Sequence, residues 1–192
     1  NQMDVLAKSV MAHAEKKALP ENGYKGKYIA DIAEEIQKLE LRIKNSEIKE
    51  YTIIKILQWI KSDLEKFGIV FDNWFQESSL YEKSEVDKAI KILKEKNLAY
   101  EKDGAVWFKS TSFADDKDRV LIREDKRHTY LASDIAYHFD KYQRNFDEYI
   151  DIWGADHHGY VERMKGAVEA IGCDSKKLKI ILYQLVNIIK DG

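Results

Sequence analysis

The sequence contains little proline and cysteine, and it lacks any long apolar segment. Among its 192 residues there is one proline and one cysteine, Cys173. A single cysteine cannot form an internal disulfide bond, which agrees with a reducing compartment, and we expect a cytoplasmic location. No apolar run approaches the roughly 20 residues of a membrane-spanning helix, so we expect no membrane partner. The first residues also lack the charged and apolar segments of a secretion signal.

An excess of charge of one sign is also missing. The chain has 32 basic and 34 acidic residues, which gives a formal net charge of -2. The total charge therefore provides no general attraction to nucleic acid, and any such contact must be local. A content of 44% hydrophobic and 34% charged residues is typical of a helix-rich soluble protein and excludes a disordered or collagen-like chain.

Helical spacing of apolar residues dominates the first part of the chain. It predicts helices over residues 5–17, 28–39 and 51–67. Gly68 is well placed to end the third helix, because glycine readily adopts the left-handed conformation that follows many helices. We therefore assign residues 1–67 to a helical part of the chain.

Residues 68–192 show the pattern of an α/β part. The aromatic and β-branched stretch at 69–72 predicts a strand. Farther along, Asp103-Gly104 stands between two apolar segments, which predicts a β-hairpin. We expect this hairpin to form a small β-ribbon within an insertion at about 81–112.

Predicted strands and helices alternate after this insertion. The strands are expected at 120–123, 149–153 and 178–186, with helices over 130–142 and 159–171 between them. Such alternation is typical of an open α/β sheet with parallel strands. The sequence therefore predicts an α/β fold with a helix-rich first half.

The most distinctive motif, WGADHHGY at 153–160, lies where a predicted strand ends and a helix begins. Ligands of open α/β sheets bind beyond the carboxyl ends of strands. Gly154 lets a ligand approach the backbone, and Asp156 can accept hydrogen bonds from hydroxyls such as a ribose diol. These features favour a nucleotide site. A tight turn in which Asp156 merely caps the helix would use the same residues.

The triplet Asp156, His157 and His158 also raises the possibility of a metal-dependent phosphoesterase, since all three are metal-ligand types. Such a site needs further carboxylates in short motifs. The other histidines stand in no ligand-like arrangement with the triplet; they are His13, His128 and His138. We therefore expect no metal site.

A second motif, YLASDIAYH at 130–138, places Tyr130 and Asp134 four residues apart. On a helix they share a face, so a phenol and a carboxylate form a compact acceptor site for a cation. A carboxylate held in place can select the planar guanidinium group over the point charge of lysine. The alternative is a surface pair with Tyr130 half-buried.

Two further segments carry acidic residues. Glu77 follows the strand predicted at 69–72, where a lone glutamate is usually solvated. The segment at 113–119, FADDKDR, contains the DDKDR tract (115–119). It either orients a loop through salt bridges or forms an exposed turn, and we favour the exposed turn.

Several motifs in the same order closely resemble those of bacterial arginyl-tRNA synthetases. Beside the two motifs above they are residues 1–10, GYKGKYI at 23–29 and DDKDRVL at 115–121. The resemblance implies a class I synthetase with a Rossmann-type open parallel sheet. The two ATP signatures of that family, His-Ile-Gly-His and Lys-Met-Ser-Lys, do not occur here. We therefore expect this chain to be the segment between them, to be inactive alone and to contain no assignable catalytic residue. The alternative is a non-enzymatic module that descends from a synthetase.

The same resemblance implies residue roles and substrates. The guanidinium-binding pair would be Tyr130 and Asp134, with Glu77 as a further acidic contact to arginine. His157 would contact the amino-acid head group, and the residues near the ATP ribose would be Gly154 and Asp156. The implied reaction activates L-arginine with ATP to arginyl-adenylate and transfers it to the 3′ terminal adenosine of tRNA(Arg). Mg²⁺ would accompany ATP, no cofactor would be tightly bound, and the enzyme would act as a monomer.

Overall fold

The computed structural model describes residues 2–38, 45–187 and 189. They form a mixed α/β structure that divides into two compact units, Asn1–Trp74 and Phe75–Gly192. The first unit is helical and the second contains the strands, so the predicted α/β fold with a helix-rich first half is confirmed. No helix in the described part of the chain is long and apolar enough to cross a membrane.

The first unit consists of three helices, α1 (Gln2–Ala14), α2 (Lys27–Lys38) and α3 (Asn45–Lys66). The apolar stripes of α1 and α2 meet in a small core, in which Val10, Ile29 and Ile32 are completely buried. Helix α1 also packs against α3. All three helices predicted from apolar spacing are confirmed, and α3 begins earlier than predicted.

The strand predicted at 69–72 is wrong. These residues follow a turn at Gly68, where φ is +76°, and they belong to no strand. A strand requires a neighbouring strand to satisfy its backbone N–H and C=O groups, and none pairs with this segment among the described residues. The aromatic content serves local contacts instead. The rings of Phe71 and Trp74 meet edge to face, with their centroids 5.5 Å apart.

The second unit begins with helices α4 (Ser78–Glu82) and α5 (Glu85–Glu95), followed by a three-stranded antiparallel sheet. Its strands are β1 (Ala99–Lys102), β2 (Ala105–Phe108) and β3 (Arg119–Ile122). The turn between β1 and β2 consists of Asp103 and Gly104, both with positive φ, so the predicted β-ribbon is confirmed.

Strand β3 differs from the expected arrangement because it extends the β-ribbon antiparallel to β2 and does not join a parallel sheet. A parallel connection needs a crossover of a dozen or more residues, usually a helix. The β2–β3 connection contains only the 3₁₀ helix Ser110–Phe113 and a short loop. The alternation of strands and helices along the sequence could not distinguish antiparallel pairing of β3 with β2 from membership of a parallel sheet.

Helix α6 (Tyr130–Gln143) follows the three-stranded sheet, and the remaining elements form a strand–helix–strand unit. Strand β4 (Tyr149–Gly154) is followed by the 3₁₀ helix Ala155–Tyr160 and by α7 (Val161–Ala170), and it pairs in parallel with β5 (Leu178–Tyr183). The core beneath this unit is closely packed, and its completely buried side chains include those of Leu93, Phe108, Ile135, Met164 and Val168. A contact between His138 of α6 and Asp151 of β4 joins the helix to this parallel pair.

Candidate functional site

A cavity of about 520 Å³ opens beside helix α6. Its wall comes from three places in the second unit: the start of α4, the first two turns of α6 and the 3₁₀ helix after β4. The lining residues are Phe75, Glu77, Tyr130, Ser133, Asp134, Tyr137, His157 and Tyr160. All four residues expected to bind arginine are among them. The structure therefore brings together side chains from positions 77, 130, 134 and 157.

The start of helix α6 determines how Tyr130 and Asp134 face this cavity. Thr129 is the N-cap, and its side chain accepts a hydrogen bond from the backbone N–H of Ala132. Tyr130 is therefore the first helical residue, 83% exposed at the cavity mouth, and Asp134 follows one turn deeper. The four-residue spacing places both on one face, as the sequence predicts.

Asp134 is the partly buried carboxyl group of the cavity. The hydroxyl of Tyr160 donates a hydrogen bond to its Oδ2 atom over 2.9 Å. Burial raises the pKa of Asp134, the hydrogen bond from Tyr160 partly opposes this, and the neighbouring carboxylate of Glu77 raises the pKa further. A cation entering the cavity would relieve both the burial of this charge and its repulsion by Glu77.

Glu77 and His157 lie at more exposed positions on the cavity wall. Glu77 precedes α4 as its N-cap residue, and it follows an irregular segment because the strand predicted before it is absent. His157 belongs to the 3₁₀ helix after β4, and its side chain is 59% exposed. Its ring lies near Trp153, with the ring centroids 6.2 Å apart.

Gly154 lines a second cavity, of about 410 Å³, at the carboxyl end of β4. The two cavities share part of their walls, namely Asp134, Tyr137, His157 and Tyr160. Asp156 lines neither cavity, and its side chain is 81% exposed. It is not the N-cap residue of the 3₁₀ helix or of α7. The structure therefore separates Asp156 from the two cavities, although Gly154 contributes to one.

Comparison with known proteins decides the family. The family model described as "tRNA synthetases class I (R), catalytic domain" matches residues 7–190 of the chain. The chain belongs to the class I arginyl-tRNA synthetase family. The arginine–tRNA ligase of Bacillus subtilis is 46% identical over 205 aligned residues, an alignment that covers the whole of this chain and 37% of that protein. The chain thus spans little more than a third of such a synthetase.

Solved structures agree with this membership. A Campylobacter jejuni protein described provisionally as an arginyl-tRNA synthetase is 41% identical, with a TM-score of 0.90 over the whole chain and 45% of its own length. Thermus thermophilus arginyl-tRNA synthetase, at 13% identity, shares the fold with a TM-score of 0.67 over 94% of this chain and 39% of its own.

The tract at 115–119 of this synthetase segment is not the exposed turn that we favoured. The side chain of Asp115 is 6% exposed and accepts hydrogen bonds from Arg119 and Arg163, each over 2.8 Å. The hydrogen bonds from Arg119 and then Arg163 outweigh burial and hold the pKa of Asp115 far below its usual range. Salt bridges, which we had considered the lesser alternative, fix this loop because two arginines from different segments converge on one carboxylate.

A second network of hydrogen bonds connects α6 to β4 in the wall of the second cavity. The Nδ1 atom of His138 lies 2.7 Å from the carbonyl oxygen of Asp134, to which it must donate. On β4, Asp151 accepts from Lys141 over 2.6 Å. Burial opposes the ionisation of Asp151, but hydrogen bonds from His138 and Lys141 outweigh it and lower the pKa. The backbone at Asp134 is thereby held against the parallel strands.

Residues that the sequence did not reveal complete the site. Tyr160 and Arg163 received no role from sequence patterns, because their partners Asp134 and Asp115 lie 26 and 48 positions away.

The interpretation of the segment as a metal-dependent phosphoesterase finds no support in this synthetase segment. Within residues 2–38 and 45–187, no three histidine, cysteine or acidic side chains are grouped so as to hold a metal ion.

Proposed function

We propose that the protein containing this chain is an arginine–tRNA ligase. It activates L-arginine with ATP to arginyl-adenylate and transfers the arginyl group to the 3′ terminal adenosine of tRNA(Arg). One observation carries the proposal. The partly buried carboxylate of Asp134 lines a cavity of about 520 Å³ together with Tyr130 and Glu77, whose charge acts on it. Membership of the arginyl-tRNA synthetase family supports it.

The chemistry of this cavity suits a guanidinium group. Two carboxylates near each other repel, and the burial of Asp134 adds to the cost of its ionisation. A guanidinium group is permanently charged and has its donors in a fixed fork, so it compensates both carboxylates without losing its proton. We assign Asp134 and Glu77 as its acidic partners, and Tyr130 as the ring that covers it.

The second cavity, at the end of β4, suits ATP. It lies where open α/β sheets bind nucleotides, and Gly154 leaves room there for a ligand close to the backbone. We assign His157 to the amino-acid head group because it lines both cavities. Asp156, whose side chain is exposed beside the same turn, would reach the ATP ribose from outside the cavity. Mg²⁺ enters as part of the ATP substrate.

The reaction requires no nucleophilic side chain. The arginine carboxylate attacks the α-phosphate of ATP, and pyrophosphate leaves. The terminal ribose hydroxyl of tRNA then attacks the activated carbonyl, forms the ester and releases AMP. Catalysis therefore depends on positioning the two substrates and on stabilising charge at phosphorus. In this part of the enzyme the residues bind and orient, and we assign no catalytic residue. We further propose that the enzyme is monomeric and cytoplasmic.

The test is ATP–pyrophosphate exchange by the full-length protein, with arginine, lysine or citrulline and with or without tRNA. Of the three amino acids, we expect only arginine to support exchange. Citrulline lacks the positive charge of the guanidinium group, and lysine lacks its forked arrangement of donors. Absence of exchange with arginine in the presence of tRNA would contradict the proposal. Equal exchange with lysine would be consistent with a ligase reaction but would contradict the assigned specificity for arginine.

A further inference from the structure

We propose that Tyr160, held by Arg163 and Asp115, is a positioning residue that fixes the carboxylate of Asp134 for recognition of a guanidinium group. This inference rests on the proposed function and deepens it. It assigns a purpose to Asp115 of the DDKDR tract, which the arginine and ATP assignments leave unexplained. The four side chains form one continuous chain of contacts from a loop before β3 to the floor of the cavity.

The first contact is the hydrogen bond between Tyr160 and Asp134. Tyr160 ends the 3₁₀ helix after β4, Asp134 lies on α6, and the donor and acceptor are 2.9 Å apart. Burial, and then the charge of Asp134, raise the pKa of Tyr160. Its hydroxyl therefore remains protonated and always donates. A carboxylate with one oxygen held in this way cannot rotate freely, and its other oxygen keeps one direction.

The second contact holds the ring of Tyr160. The guanidinium carbon of Arg163 lies 5.0 Å from the centroid of this ring, and the Trp153 ring lies 5.8 Å from it. Arg163 and Tyr160 are three residues apart, so the beginning of α7 places the cation over the ring. The phenol is thus confined by an arginine and an indole while its hydroxyl points to Asp134.

The third contact fixes Arg163. Its Nε atom donates to Oδ2 of Asp115 over 2.8 Å. Both oxygens of the same carboxylate also accept hydrogen bonds from Arg119. The three side chains are at most 19% exposed, so their geometry is defined by packing as well as by charge. A buried carboxylate shared by two arginines is costly to disturb. Arg163 therefore provides a rigid support for Tyr160.

The consequence concerns selection of arginine over lysine. A carboxylate with a fixed plane matches the forked donors of a guanidinium group, whereas an ammonium group is a point charge that a rotating carboxylate accepts equally well. Four ionisable groups face Asp134 and influence its charge: Tyr160 from the 3₁₀ helix, Glu77 from the start of α4, and His138 and Lys141 from α6. Of these, Tyr160 is the one that binds the carboxylate directly.

Tyr160→Phe in the full-length protein tests the inference, because it removes the hydroxyl and keeps the ring. In ATP–pyrophosphate exchange with tRNA present, the KM for arginine should rise about tenfold, the effect of one lost hydrogen bond to a carboxylate, with kcat nearly unchanged. The acidic limb of kcat/KM should move to higher pH, and the preference for arginine over lysine should fall. A purely structural role would leave the pH profile in place.

Tyr100→Phe is the matched control. Tyr100 also donates its hydroxyl to a carboxylate, that of Asp118, over 2.9 Å, but neither residue lines the two cavities described above. The control should keep the wild-type KM, pH profile and lysine discrimination. If Tyr160→Phe matches this control, the positioning role is refuted while the ligase assignment stands. Failure of the wild-type protein to exchange with arginine would instead refute the ligase assignment.

Arg163→Gln tests the same chain of contacts while the hydroxyl of Tyr160 is retained. If Tyr160→Phe does not fold, this second variant still tests the positioning role. We expect the KM for arginine to rise about threefold, the effect of a lost cation–π contact, with the pH limb shifted in the same direction. An unchanged KM and pH profile would overturn the role of Arg163. In the double variant the two effects should be less than multiplicative, because Arg163 acts through Tyr160.

Discussion

His138 and Asp151 connect helix α6 to strand β4 through a buried contact of 2.7 Å between Nε2 and Oδ2. His138 is 3% exposed and Asp151 is 8% exposed. Lys141 donates to the second oxygen of the same carboxylate, so both oxygens are satisfied. The helix that presents the proposed arginine-binding residues is therefore held to the sheet by one carboxylate.

Asp151→Asn should weaken this connection strongly. The substitution removes the charge that Lys141 and His138 contact, and a buried cation without its partner costs about 3 kcal/mol. Hydrogen–deuterium exchange in α6 and β4 of the full-length protein would measure the loss as faster local opening. Asp147→Asn, a change at an exposed aspartate in the loop before β4, should leave the exchange as it is. Equal protection in both variants would show that the contact does not stabilise the unit.

The contribution of Asp151 should also depend on pH. Its pKa in the folded protein lies below the ordinary value of 3.8, so the folded state favours the ionised form. The stabilisation is therefore complete above that ordinary value and is lost as the pH falls through the lower folded pKa. The difference in protection between wild type and Asp151→Asn should stay constant from neutral pH down to the ordinary value of 3.8 and shrink below it. A constant difference would contradict the assigned charge.

Asp134→Asn should weaken arginine binding without lowering the stability of the fold. The pKa of Asp134 is raised, so ionisation costs the folded state stability as the pH rises through that pKa. At neutral pH the neutral amide should therefore leave stability unchanged or increase it. Arginine binding should weaken by about 2 to 5 kcal/mol, because the guanidinium group loses its charged partner. Thermal melting and isothermal titration of the full-length protein with arginine measure the two effects separately.

Gly154→Ala should disturb the end of β4. A Cβ atom at this position would lie 2.5 Å from Oδ1 of Asp156, so the carboxylate or the turn must move. We expect the KM for ATP to rise, by up to about a hundredfold if the turn shifts by an ångström, and the KM for arginine to change less. Gly159→Ala, in the 3₁₀ helix that follows β4, is the control, since its Cβ would meet nothing within 4 Å. Comparable behaviour of the two variants would argue against nucleotide binding at Gly154.

The parts of the site that could be predicted from the sequence are local. Tyr130 and Asp134 lie on one helix, and a spacing of four residues places them on one face whatever surrounds them. The motif at 153–160 was correctly located where a strand ends, because the change from strand to helical pattern is visible in the sequence. Both predictions depend only on neighbouring residues.

The parts that could not be predicted depend on tertiary contacts. Asp115 was expected in an exposed turn, and it is buried because Arg163 approaches from α7. The stretch at 69–72 has strand-forming residues but no partner strand in the described part of the chain. Strand β3 pairs antiparallel because its connection to β2 is short. In each case the structure depends on a contact with a residue or strand that is distant in the sequence or absent. The local composition cannot predict such a contact.

The shared wall of the two cavities provides a physical route by which ligands bound in them would be thermodynamically linked. Asp134, Tyr137, His157 and Tyr160 line both spaces, so a ligand that reorients any of them in one cavity alters the surface offered in the other. Linkage is reciprocal: if one ligand changes the affinity of the second by some factor, the second must change the affinity of the first by the same factor. We therefore expect a substitution such as Tyr160→Phe to alter the coupling between the two proposed substrates as well as the affinity for one of them.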